Sequence, residues 1–351
     1  MEYRTLGHSG LKVSMHTLGT MNFDGEGFFT MTGSVDRKQA ARFIDIAVDH
    51  GVNLLDTSNA YTRGKSEAAL GELLKGRSDQ LMVGTKVRFG MGDGPNEQGL
   101  SRFHIVRECE ASLKRLQRDH IDIYFLHEWD GLTPMEETME ALNTLIQQGK
   151  VRYIGCSNFS GWHIMKSMLA AERHHFQKFV CQQIHYTLES RDAEYELVPV
   201  AIDQGVAIQV WSPIAGGLLS GKFRRDKSPE QSRHISGWTE PPVRDQERLW
   251  RIVDTLVEVG DAHGVSAAQV ALAWLAGRPG VASIILGARN EAQLKDSLAS
   301  ANLRLTGEER KKLDEVSKPP LLYPYWHQNW TASARLGTAD LALHGPHIAK
   351  H

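Results

Sequence analysis

Short apolar runs alternate with longer amphipathic stretches along almost the whole chain, and that alternation leaves few folds open. The runs fall at 16–21, 53–56, 80–87, 119–127, 151–157, 179–184, 206–211 and 281–287. The run at 119–127 carries Ile121, Ile123, Tyr124, Phe125 and Leu126, which suits a strand covered on both faces. Between the runs, 37–50 places Ala40, Phe43, Ile44 and Ala47 at helical spacing, and 105–116, 134–148, 266–275 and 291–299 read similarly. For 134–148 the start is expected at Thr133 as N-cap with Pro134 in the first helical position, and the stop at Gly149. Eight strands alternating with about eight helices predict a parallel sheet, either open and doubly wound or closed as a (β/α)8 barrel. The strand number favours the barrel.

A length of 351 residues fits roughly two average domains, or one α/β barrel with additions. No interdomain linker stands out. The longest non-periodic insertion, 223–243, reads as one loop after the seventh strand, where function tends to reside. From Lys318 onward the chain is first Pro- and aromatic-rich, then small and polar. The expected division is therefore a barrel over 1–317 and a tail over 318–351, with disorder expected from His344.

Lys and Arg number 40 against 42 Asp and Glu, so no bulk field draws the chain to nucleic acid or anionic membrane. No stretch is long and apolar enough for a transmembrane helix. The start Met1-Glu2-Tyr3-Arg4 lacks a signal-peptide pattern, and Cys109, Cys156 and Cys181 form neither a disulfide framework nor a metal motif. The expectation is a cytoplasmic protein without a metal site. Two glycine-rich segments are set aside as nucleotide loops. Pro95 stands where GxGxxG needs its third glycine, and the GxxxxGK of 216–222 is followed by Phe223 rather than Ser or Thr. Glycines beside Lys222 can still hold a phosphate in another way.

Four ionisable residues stand at or just beyond strand ends: Asp56, Tyr61 in the next loop, Lys86 and His127. Consecutive strands of a parallel barrel bring their carboxyl ends to one rim. Singly, each residue has an ordinary reading as a helix cap, a rim aromatic, a solvated lysine or a core histidine. Together on three successive strand ends they read as one pocket, because isolated buried charges are expensive. Asp56 and Lys86 form the expected ion pair, and the Lys86 cation is expected to lower the Tyr61 phenol pKa. Such a device protonates a carbonyl oxygen but cannot supply hydride, so a cofactor is implied.

At these residues the sequence resembles the aldo-keto reductase superfamily, over about 3–317. Asp56-Thr57-Ser58-Asn59-Ala60-Tyr61, Gly84-Thr85-Lys86-Val87 and Leu126-His127 match its tetrad segments. Further likeness lies in Leu18-Gly19-Thr20-Met21, in the block 149–159, in 211–219 and in 287–294. The branch is similar to bacterial ketone and aldehyde reductases and to potassium-channel β subunits. The resemblance implies a (β/α)8 TIM barrel with an N-terminal β-hairpin, binding NADP(H) without a Rossmann domain. It implies Tyr61 as proton donor, Lys86 and Asp56 as its tuning pair, and His127 as substrate orienter. Ser157, Asn158 and Gln183 would hold the nicotinamide carboxamide and Trp211 would stack on the ring. Gly19, Thr20, Met21 and Asp56 are further cofactor contacts. Ser212, Pro213, Ile214, Gly217 and Lys222 would line the pyrophosphate. Gly287, Arg289, Gln293 and Ser297 would hold the adenosine end, with Arg289 on a 2′-phosphate, which favours NADPH over NADH.

The substrate wall is expected from Phe23, Phe89 and Trp129, with Trp162 and Trp238 as further candidates. The aromatic segment Leu321–Trp326 is expected to fold near the pocket or at an oligomer contact. The leading function is reduction of an aldehyde or ketone by NADPH. The alternative is a catalytically weak regulatory subunit like the channel β subunits. A Schiff-base lyase using Lys86 is a third reading, which leaves the nicotinamide positions without purpose. A small-molecule carbonyl or alcohol is the expected partner, and a homo-oligomer is left open.

Overall fold

The computed structural model describes residues 1–77, 81–229, 233–237 and 240–348. An antiparallel hairpin, β1 (Tyr3–Thr5) and β2 (Lys12–Ser14), precedes a closed barrel of eight strands. These are β3 (His16–Gly19), β4 (Leu54–Asp56), β5 (Met82–Val87), β6 (Ile121–Leu126), β7 (Val151–Ser157), β8 (Cys181–His185), β9 (Ala207–Trp211) and β10 (Val281–Leu286). All neighbours pair in parallel, and β10 closes onto β3. Each apolar run of the sequence carries one barrel strand, most of them trimmed at an end; β7 fills its run and β8 runs one residue beyond it, to His185. Gln80, the expected start of the third run, lies outside the described residues.

The helices are α1 (Arg37–Asp49), α2 (Lys65–Leu73), α3 (Arg102–Leu116), α4 (Met135–Gln147), α5 (Gly161–His174), α6 (Leu197–Gln204), α7 (Gln246–His263), α8 (Ala267–Ala276), α9 (Glu291–Ala299) and α10 (Gly307–Ser317). Side-chain caps start most of them: Asp36, Ser101, Ser160, Asp245, Ser266, Asn290 and Thr306 each accept a hydrogen bond from the backbone N–H three residues on. The expected start of α4 is corrected. Pro134 itself is the residue before the helix, and Thr133 lies one further out, donating its hydroxyl to Asp130 at 2.7 Å. Asp130 also accepts from the N–H groups of Leu100 and Leu132, and this cluster draws Thr133 away from the helix end. None of the described helices is long and apolar enough to cross a membrane.

Two apolar layers hold the barrel. The larger lies between strands and helices. The smaller fills the barrel's lower interior with Leu54, Ile123, Phe125, Cys181, Ala207 and Ala282, and the hairpin residues Leu6 and Val13 stopper it from below. Phe125 spans that interior because its neighbours are glycines. A Cβ on Gly155 would come within 2.7 Å of the Phe125 ring, and one on Gly84 within 3.2 Å. With the floor closed by apolar side chains, polar residues one layer higher face only the open mouth.

The tail packs along the outside of the barrel. Tyr195 donates to the carbonyl of Pro320, Tyr325 to Glu196, and Lys318 to the carbonyl of Pro346 at 2.8 Å. Two short helices form in it, α11 (Tyr325–Thr331) and α12 (Leu341–His344). None of these contacts reaches the four ionisable residues, so the expected position over the pocket is not found among the described residues. His344 is buried and rings against Tyr325, whereas disorder was expected from that point; residues 349–351 lie outside the described residues.

Candidate active site

Register sets the site. Asp56 stands beside Gly84, Lys86 beside Phe125, Ser157 beside Gln183, Gln183 beside Gln209, and His185 beside Trp211. Side chains alternate along a strand, so Gln183 and Gln209 stand on the same inner face as Cys181 and Ala207 below them.

Lys86 is almost fully buried and spends all three ammonium hydrogens. It donates to Asp56 Oδ2 at 2.7 Å, to the Thr57 carbonyl at 2.7 Å and to Tyr61 Oη at 3.2 Å. Gln183 Nε2 donates to the other oxygen of Asp56 at 2.6 Å and to Gln209 Oε1 at 3.2 Å. Because a carboxylate only accepts, the Gln183 amide orientation is fixed, and its oxygen remains the free acceptor. Burial pulls the Lys86 pKa down, yet Asp56 and Tyr61 together raise it above its ordinary value. The expected lowering of the Tyr61 pKa is corrected: burial raises it, and the opposing Lys86 cation does not reverse that. The sequence names the cation next to the phenol but not the water stripped from it.

His127 is held well below its usual pKa, first by burial and then by the Lys86 and Arg88 cations. Its Nδ1 meets Ser58 Oγ at 3.1 Å, and that hydroxyl oxygen also accepts the Ala60 N–H at 3.2 Å. The loop carrying Tyr61 runs through three left-handed residues, Thr62, Arg63 and Gly64, with φ of 47°, 51° and 86°. Two of these carry side chains and are strained. Buried polar bonds anchor the segment: Thr57 to Ser66 at 3.1 Å, Asn59 to Glu108 at 3.1 Å, and Thr85 and Arg115 both to Glu67 at 2.5 Å.

The expected cofactor residues line the mouth in an arc. Asn158 donates to the His127 carbonyl at 3.0 Å and accepts from Trp211 Nε1 at 3.0 Å, which sets the indole's tilt. Ser157 is buried beside Gln183, and Gly19 and Met21 are partly exposed at the rim. Thr20 turns its hydroxyl into the wall, bonding the Asp56 carbonyl and Ser66. After β9, Ser212, Ala215, Gly216 and Gly217 take positive φ, folding Ser212, Pro213 and Ile214 into a tight loop that leads to Lys222. On the neighbouring strand's end, after β10, stand Gly287 and Arg289, whose backbone N–H is held by Gln293, with Ser297 one helical turn further on.

The substrate wall differs from expectation. Phe23 is fully buried, pairs through a bridge to Val35 and packs edge-on against Phe43, so it belongs to the core. Phe29, from the following turn, is the aromatic that reaches the site, with its ring 5.9 Å from that of Tyr61. Phe89 does face the site, 4.7 Å from the His127 ring. Trp129 stacks on His163 at 3.8 Å and meets Phe159 and Trp162, forming a rim cluster rather than a tetrad contact. Trp238 lies outside the described residues. Sequence reasoning also missed Arg233, on the long loop, whose charge is felt by Tyr61 and which is itself pushed down by burial and by neighbouring Arg289. Gln209 was missed too, although it lies two residues before Trp211 and so shares its face.

The family model described as "Aldo/keto reductase family" matches residues 17–318. An "Uncharacterized oxidoreductase YrpG" of Bacillus subtilis (strain 168) is 38% identical over 332 residues, spanning 91% of this chain and 97% of its own. A "Probable voltage-gated potassium channel subunit beta" of Arabidopsis thaliana is 34% identical, spanning 91% and 98%. A "Versiconal hemiacetal acetate reductase" of Aspergillus parasiticus is 33% identical, spanning 92% and 99%. The barrel, the strand-end residues and these likenesses agree: the chain belongs to the aldo/keto reductase family.

Proposed function

We propose that this protein is an NADPH-dependent carbonyl reductase that converts an aldehyde or ketone to the alcohol. The observation that carries the reading is the buried chain Tyr61–Lys86–Asp56–Gln183, which joins a phenol facing the mouth to an amide suited to a carboxamide. The residues also fit the cofactor. Arg233 and Arg289 lie close enough to repel, and Arg289 and Lys222 have no carboxylate partner among the described residues. Two neighbouring guanidiniums and a lysine suit a polyanion with a 2′-phosphate.

A bound reduced nicotinamide supplies the hydride. Tyr61 supplies the proton to the carbonyl oxygen, and Lys86, fixed by Asp56 and the Thr57 carbonyl, holds the phenol in place and stabilises the phenolate left behind. His127 is neutral. The Ser58 oxygen already accepts the Ala60 N–H, so its own proton is available to Nδ1, leaving Nε2–H to point at the carbonyl oxygen. Gln183, with its nitrogen committed, offers its oxygen to the carboxamide, while Ser157 and Asn158 flank that position and Trp211 offers its ring face.

The test is NADPH oxidation over a panel of aldehydes and ketones, with NADH alongside. Tyr61→Phe removes most turnover and leaves NADPH binding nearly intact; near-normal turnover overturns the assignment. Tyr61 titrates above its ordinary value of 10.0 and His127 well below 6.5. Reduction is therefore flat from about pH 6 to 9. A catalytically weak, cofactor-binding subunit, in line with the channel-subunit name of the 34% identical Arabidopsis thaliana relative, is the second reading. Absence of turnover over the whole panel, with NADPH bound, favours it.

A further inference from the structure

Arg88 lies two residues beyond Lys86, at the lip of the barrel, and the proton-transfer machinery does not use it. Its backbone takes a φ of 155°, on the side of the map where L residues are sparse. The carbonyl of Arg88 is tied to the Gly99 N–H at 2.8 Å, which holds the unusual turn. Its guanidinium lies over the Phe89 ring, 5.4 Å from the centroid, and that ring also meets His127 edge-on at 4.7 Å. Its Nε is buried and has no hydrogen-bond partner. Two acids are near enough to feel its charge, but both are engaged elsewhere. Asp130 accepts from Leu100, Leu132 and Thr133, and Glu128 Oε1 accepts from the Trp129 N–H. Among the described residues no carboxylate comes within ion-pair distance of Arg88.

A half-buried guanidinium with an orphaned donor and no counter-ion is an incomplete arrangement, because a buried unpaired donor to a charged group is costly. The terminal nitrogens, unlike Nε, are not sealed off, and an anion entering the mouth can reach the charge through them. We propose that Arg88 is an anion subsite for the substrate, and that the preferred substrates are aldehydes or ketones carrying a carboxylate about one aromatic ring away from the carbonyl. The spacing comes from Phe89, whose one ring touches both the guanidinium and His127. This inference rests on the carbonyl-reductase reading. The carboxylate is a spectator: one hydride reaches the carbonyl carbon, one proton reaches the oxygen, and the acid group keeps its charge throughout.

The test compares 4-carboxybenzaldehyde with its methyl ester in the NADPH-loaded enzyme. The acid is expected to have a kcat/KM about 10- to 100-fold above the ester, the range of a hydrogen bond to a charged group. In Arg88→Gln the acid-to-ester ratio falls toward one, and in Arg88→Lys it is partly kept, since lysine preserves the charge but not the fork. A second readout needs no turnover: benzoate binds the NADP+-loaded wild type in calorimetry more tightly than benzamide, and Arg88→Gln loses that difference. A wild-type ratio at or below one, or a ratio unchanged in Arg88→Gln, overturns the subsite. Turnover of the ester in that case leaves the carbonyl-reductase reading standing, whereas absence of turnover with either aldehyde counts against both.

Discussion

Replacing Lys86 with methionine tests whether the strand-end charges form one buried unit. The side chains are of similar length, so the change removes charge and three hydrogen bonds without opening a large cavity. At 2.7 Å the Lys86–Asp56 attraction is about 6 kcal/mol with an effective dielectric of about 20. Desolvation of two ions costs several kcal/mol each, so the intact pair contributes little net stability. Breaking it is another matter, because Asp56 stays 4% exposed with only Gln183 to hold its charge. The expected loss is about 3–5 kcal/mol. Unfolding entropy of roughly 2.1 cal/mol/K per residue over 351 residues converts 4 kcal/mol into a Tm drop of about 5 °C. Adding Asp56→Asn removes the stranded charge while keeping an oxygen for Gln183, so the double variant recovers more than half of that loss. Turnover stays at least about 100-fold down in both, since neither retains the cation beside Tyr61. Scanning calorimetry and urea melts of the four proteins supply the cycle. Strictly additive single effects, or a Lys86→Met protein as stable as wild type, refute the picture of a coupled buried pair.

Two further outcomes follow from burial and from charge placement. His16 is buried, with Nε2 on Ser300 Oγ at 3.2 Å, and its pKa falls to about 4 from 6.5. The unfolded chain therefore binds more protons at acid pH, so His16's contribution is fully present above 6.5 and lost as pH falls toward about 4, reaching about 2 kcal/mol between pH 7 and 5. Urea melts of His16→Gln are expected to show that much less pH dependence, and an unchanged slope refutes the linkage. Arg289→Leu is expected to weaken NADPH binding about 10- to 100-fold in fluorescence titration and NADH binding by less than about threefold; equal losses for both cofactors place Arg289 away from the 2′-phosphate.

What the sequence reveals and what it hides divide along a physical line. Asp56, Lys86 and His127 are legible because strands have a period of two and definite ends, and an ion at the end of an apolar strand needs a partner across the rim. Gln209 obeys the same period and could have been found from Trp211. Loops have no period. Phe23 and Phe29 are equally aromatic and six residues apart, yet one bridges to Val35 and is sealed against Phe43 while the other reaches Tyr61. Thr133 reads as a helix cap from its residue type and the Pro134 after it, yet a nearby acid takes its hydroxyl. The sign of the Tyr61 pKa shift is hidden from the sequence because a neighbouring cation can be read from spacing, whereas solvent exclusion depends on every side chain packed around the mouth. Of the groups assigned to proton transfer, Asp56 and Lys86 lie on strands, His127 directly follows one and Tyr61 stands on the loop after Asp56; Arg88, Phe29 and Arg233, also between strands, surround the space a substrate or phosphate would enter. In a barrel of this kind the reaction class is thus readable from sequence before the substrate is. Exchange of the loop residues should accordingly alter which carbonyl compound is preferred while leaving the Tyr61–Lys86–Asp56 chemistry in place.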